Sequence, residues 1–222
     1  MIAYKFLAAG AVAPFTGRRW PIPGSTGPGA WLVAEAADLM RYGVHACRTE
    51  DLAWWPDDEL WIVELGTRII SGAFHVVAAR ARLLAQVTTW NAEGARQYAS
   101  ACAWRARDLT LEALQRARLE REACALGACI DLVSLEATST SIAGDAPREE
   151  PRGLAAYVAG AALRARQGRY PEASLHCAHL GAAILGSKVG AERERAWQSR
   201  WLAERMRLRE FAARSGAHAS AV

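Results

Sequence analysis

His45 and Cys47 stand two apart in the run Gly43-Val44-His45-Ala46-Cys47, a spacing that puts both side chains on one face of an extended chain. An imidazole beside a thiol can act as base and nucleophile, or as two ligands of a metal. That same face of a strand is where core residues sit, and both residue types bury acceptably. Glu64 is the second candidate, the one carboxylate inside the apolar run from Leu60 to Leu65. Facing His45 across a sheet, it would shift the pKa of both groups and define a catalytic pair. Trp20, Trp54, Trp55 and Trp61 supply aromatic surface, which together with His45 and Cys47 would line a ligand pocket.

Other polar groups read more simply as structure. Glu50, Asp51, Asp57, Asp58 and Glu59 could hold a divalent cation, but they flank a helix start and a turn, where carboxylates serve as caps. His176 and His179 share a helix face at a metal-compatible spacing, yet two ligands do not make a site. Arginines crowd the last helix among four glutamates, so intrahelical pairs explain them without a nucleic-acid partner. No glycine-rich phosphate loop of either common spacing occurs.

The elements that must position these residues follow from periodicity. Ile2 to Leu7 reads as a strand, residues 13–29 as a Pro/Gly-rich loop carrying Phe15 and Trp20, and Trp31 to Val33 and Gly43 to Cys47 as further strands. Thr49 is the expected N-cap of a short helix through Trp54, and Pro56-Asp57-Asp58 the turn into the strand Glu59 to Leu65. On that strand Trp61, Val63 and Leu65 share one face, with Leu60 and Ile62 on the other. Phe74 to Val77 and Leu83 to Val87 continue the extended pattern. From Asn91 the period becomes helical, through Ala95, Tyr98, Cys102, Ala106 and Leu109, and a second stretch runs on to Leu135. Thr138 to Pro151 reads as a loop, followed by helices Gly153 to Gln167, Pro171 to Leu185 and Ala191 to Ala213, the last with a seam of Trp197, Trp201, Leu208 and Phe211.

The expected fold is therefore α+β: a small N-terminal mixed or antiparallel β-sheet over residues 1–90, packed with a C-terminal α-helical bundle over 91–213, and a tail at 214–222. The chain has 222 residues, 52% of them apolar, enough to bury a core. No apolar run is long enough to span a membrane. The N-terminal run lacks the basic start of a signal peptide, so a cytoplasmic location is expected. Five scattered cysteines make no C-x-x-C pair and read as buried thiols. Two lysines, Lys5 and Lys188, stand against twenty-five arginines, a bias of coding that lowers the weight of any arginine count. The net charge of +4 permits an anionic partner without demanding one.

Three resemblances extend this picture. The Gly43–Cys47 run, the aromatic-bearing short helix and Trp61-Ile-Val-Glu-Leu-Gly66 together resemble the middle of ADP-ribosyltransferase-type folds. His45 stands at the tyrosine of the family's Gly-Ile-Tyr-Phe-Ala strand, and Trp54-Trp55 where its helix places an aromatic. Ala3-Tyr4-Lys5 replaces the family's His-Gly pair. The resemblance implies an NAD-using enzyme with His45 and Glu64 as catalytic residues. The Tyr4-Lys5-Phe6 start, the Gly-Val-His-Ala-Cys motif and the run Ala196 to Ala203 also resemble a family of small uncharacterised bacterial proteins, which implies no activity. Gly168-Arg-Tyr170-Pro-Glu-Ala173 resembles the turn of a tetratricopeptide hairpin, but no second copy follows, so one helical hairpin is expected. The leading expectation is a protein that binds a small molecule or a protein partner at an aromatic-lined pocket, with no cofactor named by its residues. The alternative is the NAD-using enzyme.

Overall fold

In the computed structural model, residues 1–25, 27–39 and 42–210 are described. The first part of the chain forms β1 (Ile2–Leu7), β2 (Leu32–Val33), β3 (Val44–Ala46), a 3₁₀ helix (Thr49–Trp54), β4 (Glu59–Leu65), β5 (Ile69–Ser71), β6 (Val76–Ala78) and β7 (Arg80–Gln86). Two antiparallel sheets result, ordered β1-β4-β7-β2 and β3-β6-β5. A two-bond bridge joins them, Tyr4 N–H to the Cys47 carbonyl at 2.8 Å and Cys47 N–H to the Tyr4 carbonyl at 2.7 Å. Helices follow: α1 (Ala92–Arg116), α2 (Glu120–Gly127), α3 (Leu132–Ala143), α4 (Ala155–Arg166), α5 (Tyr170–Leu185) and α6 (Ser187–Arg205). The fold is α+β. Among the described residues no helix is long and apolar enough to cross a membrane.

Side-chain alternation explains the sheet core. Ala3 and Leu7 of β1, Trp61, Val63 and Leu65 of β4, and Ala81 and Leu83 of β7 point into one cluster with Val44 and Ala46 of β3 and Val76 and Ala78 of β6. Trp20 closes it from the Pro/Gly-rich loop and is 4% exposed. Burying one such Val or Leu contributes about 1.5–3 kcal/mol, so the two inward faces hold the sheets together. On the other face Leu60 and Ile62 are buried, and Phe6 meets Trp90 edge-on at 5.4 Å.

Several local expectations are corrected. The short helix is 3₁₀ and its cap is Arg48, with no side-chain cap bond; the Arg48 guanidinium reaches Asp51 instead, at 2.6 Å. The strand β5 carries no alternation strong enough to be seen, and the expected strand at Phe74 begins at Val76 because Gly72 N–H bonds the His75 carbonyl, closing a two-residue turn. Thr138 to Ser141 lie inside α3, not in a loop. The helix starts at an Asp131/Ser134 capping box, and the Thr140 hydroxyl is satisfied by the Glu136 carbonyl one turn back. On α6 the buried residues include Gly190, Glu194, Arg195, Gln198, Ser199 and Leu202, while Trp197 and Trp201 are partly exposed, so the aromatic seam is not the inward face. Phe211, Ala213 and the tail at 214–222 lie outside the described residues.

The chain divides into two compact units. One comprises Met1–Asn91 with the described residues from Ser199 onward; the other is Ala92–Gln198, so the division falls within α6. In the helical unit α4 and α5 form the expected hairpin. The two helices meet tightly at Gly160, where a Cβ would lie 2.5 Å from the His176 ring.

Candidate functional site

Four pieces of the sheet unit converge on one row of rings. The Pro/Gly-rich loop brings Phe15, the 3₁₀ helix brings Trp54 and Trp55, the β5–β6 turn brings Phe74 and His75, and β3 brings His45. Phe15 meets Trp55 edge-on at 6.4 Å, Trp55 meets His75 edge-on at 5.9 Å, and His75 lies 5.2 Å from His45. Trp54 stacks on Phe74 at 4.0 Å beside them. Edge-to-face and offset geometries of this kind are the favoured ones for aromatic pairs.

Polar bonds fix the row in place. Trp55 donates its indole N–H to the Phe74 carbonyl at 2.7 Å, and Arg48 reaches the carbonyls of Gly72 and Ala73 at 3.3 and 3.2 Å. The 3₁₀ helix and the β5–β6 turn are thereby tied to each other. The outer end stays open: Phe15 is 85% exposed and Trp55 37%. Trp55, a partly exposed ring held by its bond to a backbone carbonyl, loses little entropy on meeting a partner.

The inner end is polar. Burial holds the His45 imidazole below the ordinary histidine value, with His75 and Lys5 adding to that effect and Asp38 opposing it. The His75 Nε2 is buried without a hydrogen-bond partner. Cys47 is fully protonated at neutral pH, because burial pushes its thiol up to about 12. Its Sγ donates to the Tyr4 carbonyl at 3.2 Å. A protonated thiol is neither a ready nucleophile nor a metal ligand. Among the described residues no group of three or more His, Cys, Asp or Glu side chains is placed to hold a metal.

Of the residues singled out in the sequence, His45, Trp54 and Trp55 come together in this row. Trp20 and Trp61 do not; they belong to the core between the sheets, with Trp61 donating to Glu59 at 2.9 Å. Glu64 lies in the other sheet from His45 and is held by Arg82 at 2.7 Å, facing across β4 and β7. The acidic cluster is structural: Asp58 accepts from Ala9 N–H at 3.1 Å, and Glu59 from Gly10 and Ala11 N–H at 2.8 and 3.0 Å.

Two groups escape a reading of the sequence. Phe15, Phe74 and His75 are scattered along 60 residues, and no spacing marks them as neighbours. Lys5 sits on the inward face of β1 between Ala3 and Leu7 and donates to the His45 carbonyl at 2.7 Å. Its signal was present, a lone lysine in an apolar strand of a chain with two lysines. Compared with known protein families, curated proteins and solved structures, the chain matches none.

Proposed function

We propose that the sheet unit is a binding module whose recognition surface is the row Phe15–Trp55–His75–His45. It takes a flat or apolar group, from a small molecule or from a protein partner. The observation that supports this most is the pairing of exposure with rigidity. Phe15 is 85% exposed, yet it rests edge-on against a Trp55 pinned by its own indole bond. Apolar rings left at a surface beside convergent polar groups are the usual mark of an interaction site. A cytoplasmic location belongs to the same reading, supported by five unpaired thiols.

A thermal-shift screen with indole, AMP, NAD and a tryptophan-rich peptide tests it. An aromatic probe is expected to raise Tm, and Phe15→Ala or Trp55→Ala to abolish that response while leaving the unliganded Tm of Phe15→Ala unchanged. No response to any probe, or a response indifferent to both variants, overturns the reading. A response to NAD alone that requires both His45 and Glu64 would replace it with the NAD-using enzyme.

A further inference from the structure

Lys5 is the anomaly of the sheet core. Its inward-facing neighbours on β1, Ala3 and Leu7, are both 0% exposed, and its cross-strand partner is Trp61, 7% exposed. The Lys5 amine reaches one hydrogen-bond acceptor, the His45 carbonyl, and lies 5.4 Å from the centre of the Trp20 ring. Among the described residues no carboxylate pairs with it, whereas Lys188 pairs with Glu192. A core of this kind ordinarily excludes an ammonium that lacks a counter-ion. The Lys5 residue is itself only partly buried.

We propose that Lys5 is a carbonyl-reactive amine, which forms an imine with a small aldehyde or ketone bearing an apolar or aromatic group. The Trp20 and Trp61 rings give such a group its surroundings, and the bond to the His45 carbonyl orients Nζ. Burial lowers the amine's pKa to about 8, so a useful share of it is neutral near physiological pH. The neutral lone pair attacks the carbonyl carbon, forming the C–N bond. The carbonyl oxygen then leaves as water, both of whose hydrogens come from the amine, and a C=N bond remains. No oxidant or reductant enters the step. The site lies on the inward face of β1 and needs no ligand on the Phe15–Trp55 row, so it stands or falls independently of the binding module.

Having two lysines makes the test internally controlled. The whole protein is incubated with benzaldehyde and sodium cyanoborohydride near neutral pH, which reduces an imine to a stable benzyl adduct, and the adducts are located by peptide mass spectrometry. Lys188, exposed on α6, is the reference. Lys5 is expected to be modified at least about tenfold faster than Lys188, with a rate that levels off above about pH 8. Lys5→Arg, which retains the charge and a donor, loses that adduct while Lys188 is modified as before. Should Lys5→Arg fail to fold, the pH profile of the two lysines in the wild-type protein decides alone. Modification of Lys188 with Lys5 untouched, or equal rates at both, overturns the proposal.

Discussion

The two units hold their buried charged groups differently. In the helical unit one set of them is gathered into a network, while Thr110 Oγ1, Ser139 Oγ and His176 Nδ1 are buried without a hydrogen-bond partner. Glu194, 2% exposed, receives two bonds from Arg105 at 2.9 and 3.0 Å, and Arg195 donates to Ser174 and Gln198 at 3.0 and 3.1 Å. Gln198 in turn donates to the Ser174 carbonyl at 2.9 Å. Helices α1, α5 and α6 are thus joined through their interior by charge and amide groups. In the sheet unit the buried Asp51 carboxylate is held by Arg48, while among the described residues the Lys5 amine has one acceptor and no carboxylate partner. A networked group is satisfied by its neighbours, whereas an isolated one carries more of the cost of its burial.

The comparison can be broken most forcefully at Glu194. Glu194→Leu strands the Arg105 cation and is expected to lower unfolding stability by about 3–5 kcal/mol in urea titration. The double variant Arg105→Met/Glu194→Leu should recover most of that loss, because charge removed from both sides leaves nothing unpaired. A double variant as unstable as the single one would mean that the pair does more than satisfy itself.

Steric closeness in the helical hairpin gives the next effect. Gly160→Ala drives a methyl into the His176 ring and should cost about 1–3 kcal/mol, and His176→Ala in the same chain should restore it. Additive losses would show that the two residues do not share the contact.

The smallest effect concerns the isolated amine, and its sign is set by linkage. Folded Lys5 loses its proton near pH 8, while the unfolded chain keeps it to the ordinary value of 10.5, so the unfolded state binds more protons between them. Stability should therefore rise with pH just above 8, by up to about 1.4 kcal/mol per pH unit. Above the ordinary thiol value of 9.0, the trend is opposed by Cys47 and Cys177, both held protonated to about 12 in the folded state. Lys5→Met should flatten the rise between pH 8 and 9 in denaturant titrations. A rise that persists in Lys5→Met would assign it to another group.

How much of this was legible varies with the element. The strand Glu59–Leu65 and its two faces follow directly from alternation, because period-two patterning maps onto one buried face regardless of what covers it. The turn at Gly168 and the Pro171 helix start were equally plain, since their backbone demands are local. The α6 face was misjudged because tryptophan outranks arginine and glutamate as a core residue by type. Only a facing Arg105 and Ser174 make Glu194 and Arg195 the buried side. Likewise Thr138–Ser141 looked like a loop by composition, and the Asp131 cap upstream decided for helix.

The sequence by itself determined the α+β class, the change of period at Asn91 and the strand that carries His45 and Cys47, all of which depend on neighbours a few residues apart. The tertiary structure alone decided that His45 meets His75, His75 meets Trp55 and Trp55 meets Phe15, that Glu64 turns to Arg82, and that among the described residues Lys5 has no counter-charge. Those facts depend on which strands and loops become neighbours, a matter of sheet order and loop closure. Local periodicity does not encode it.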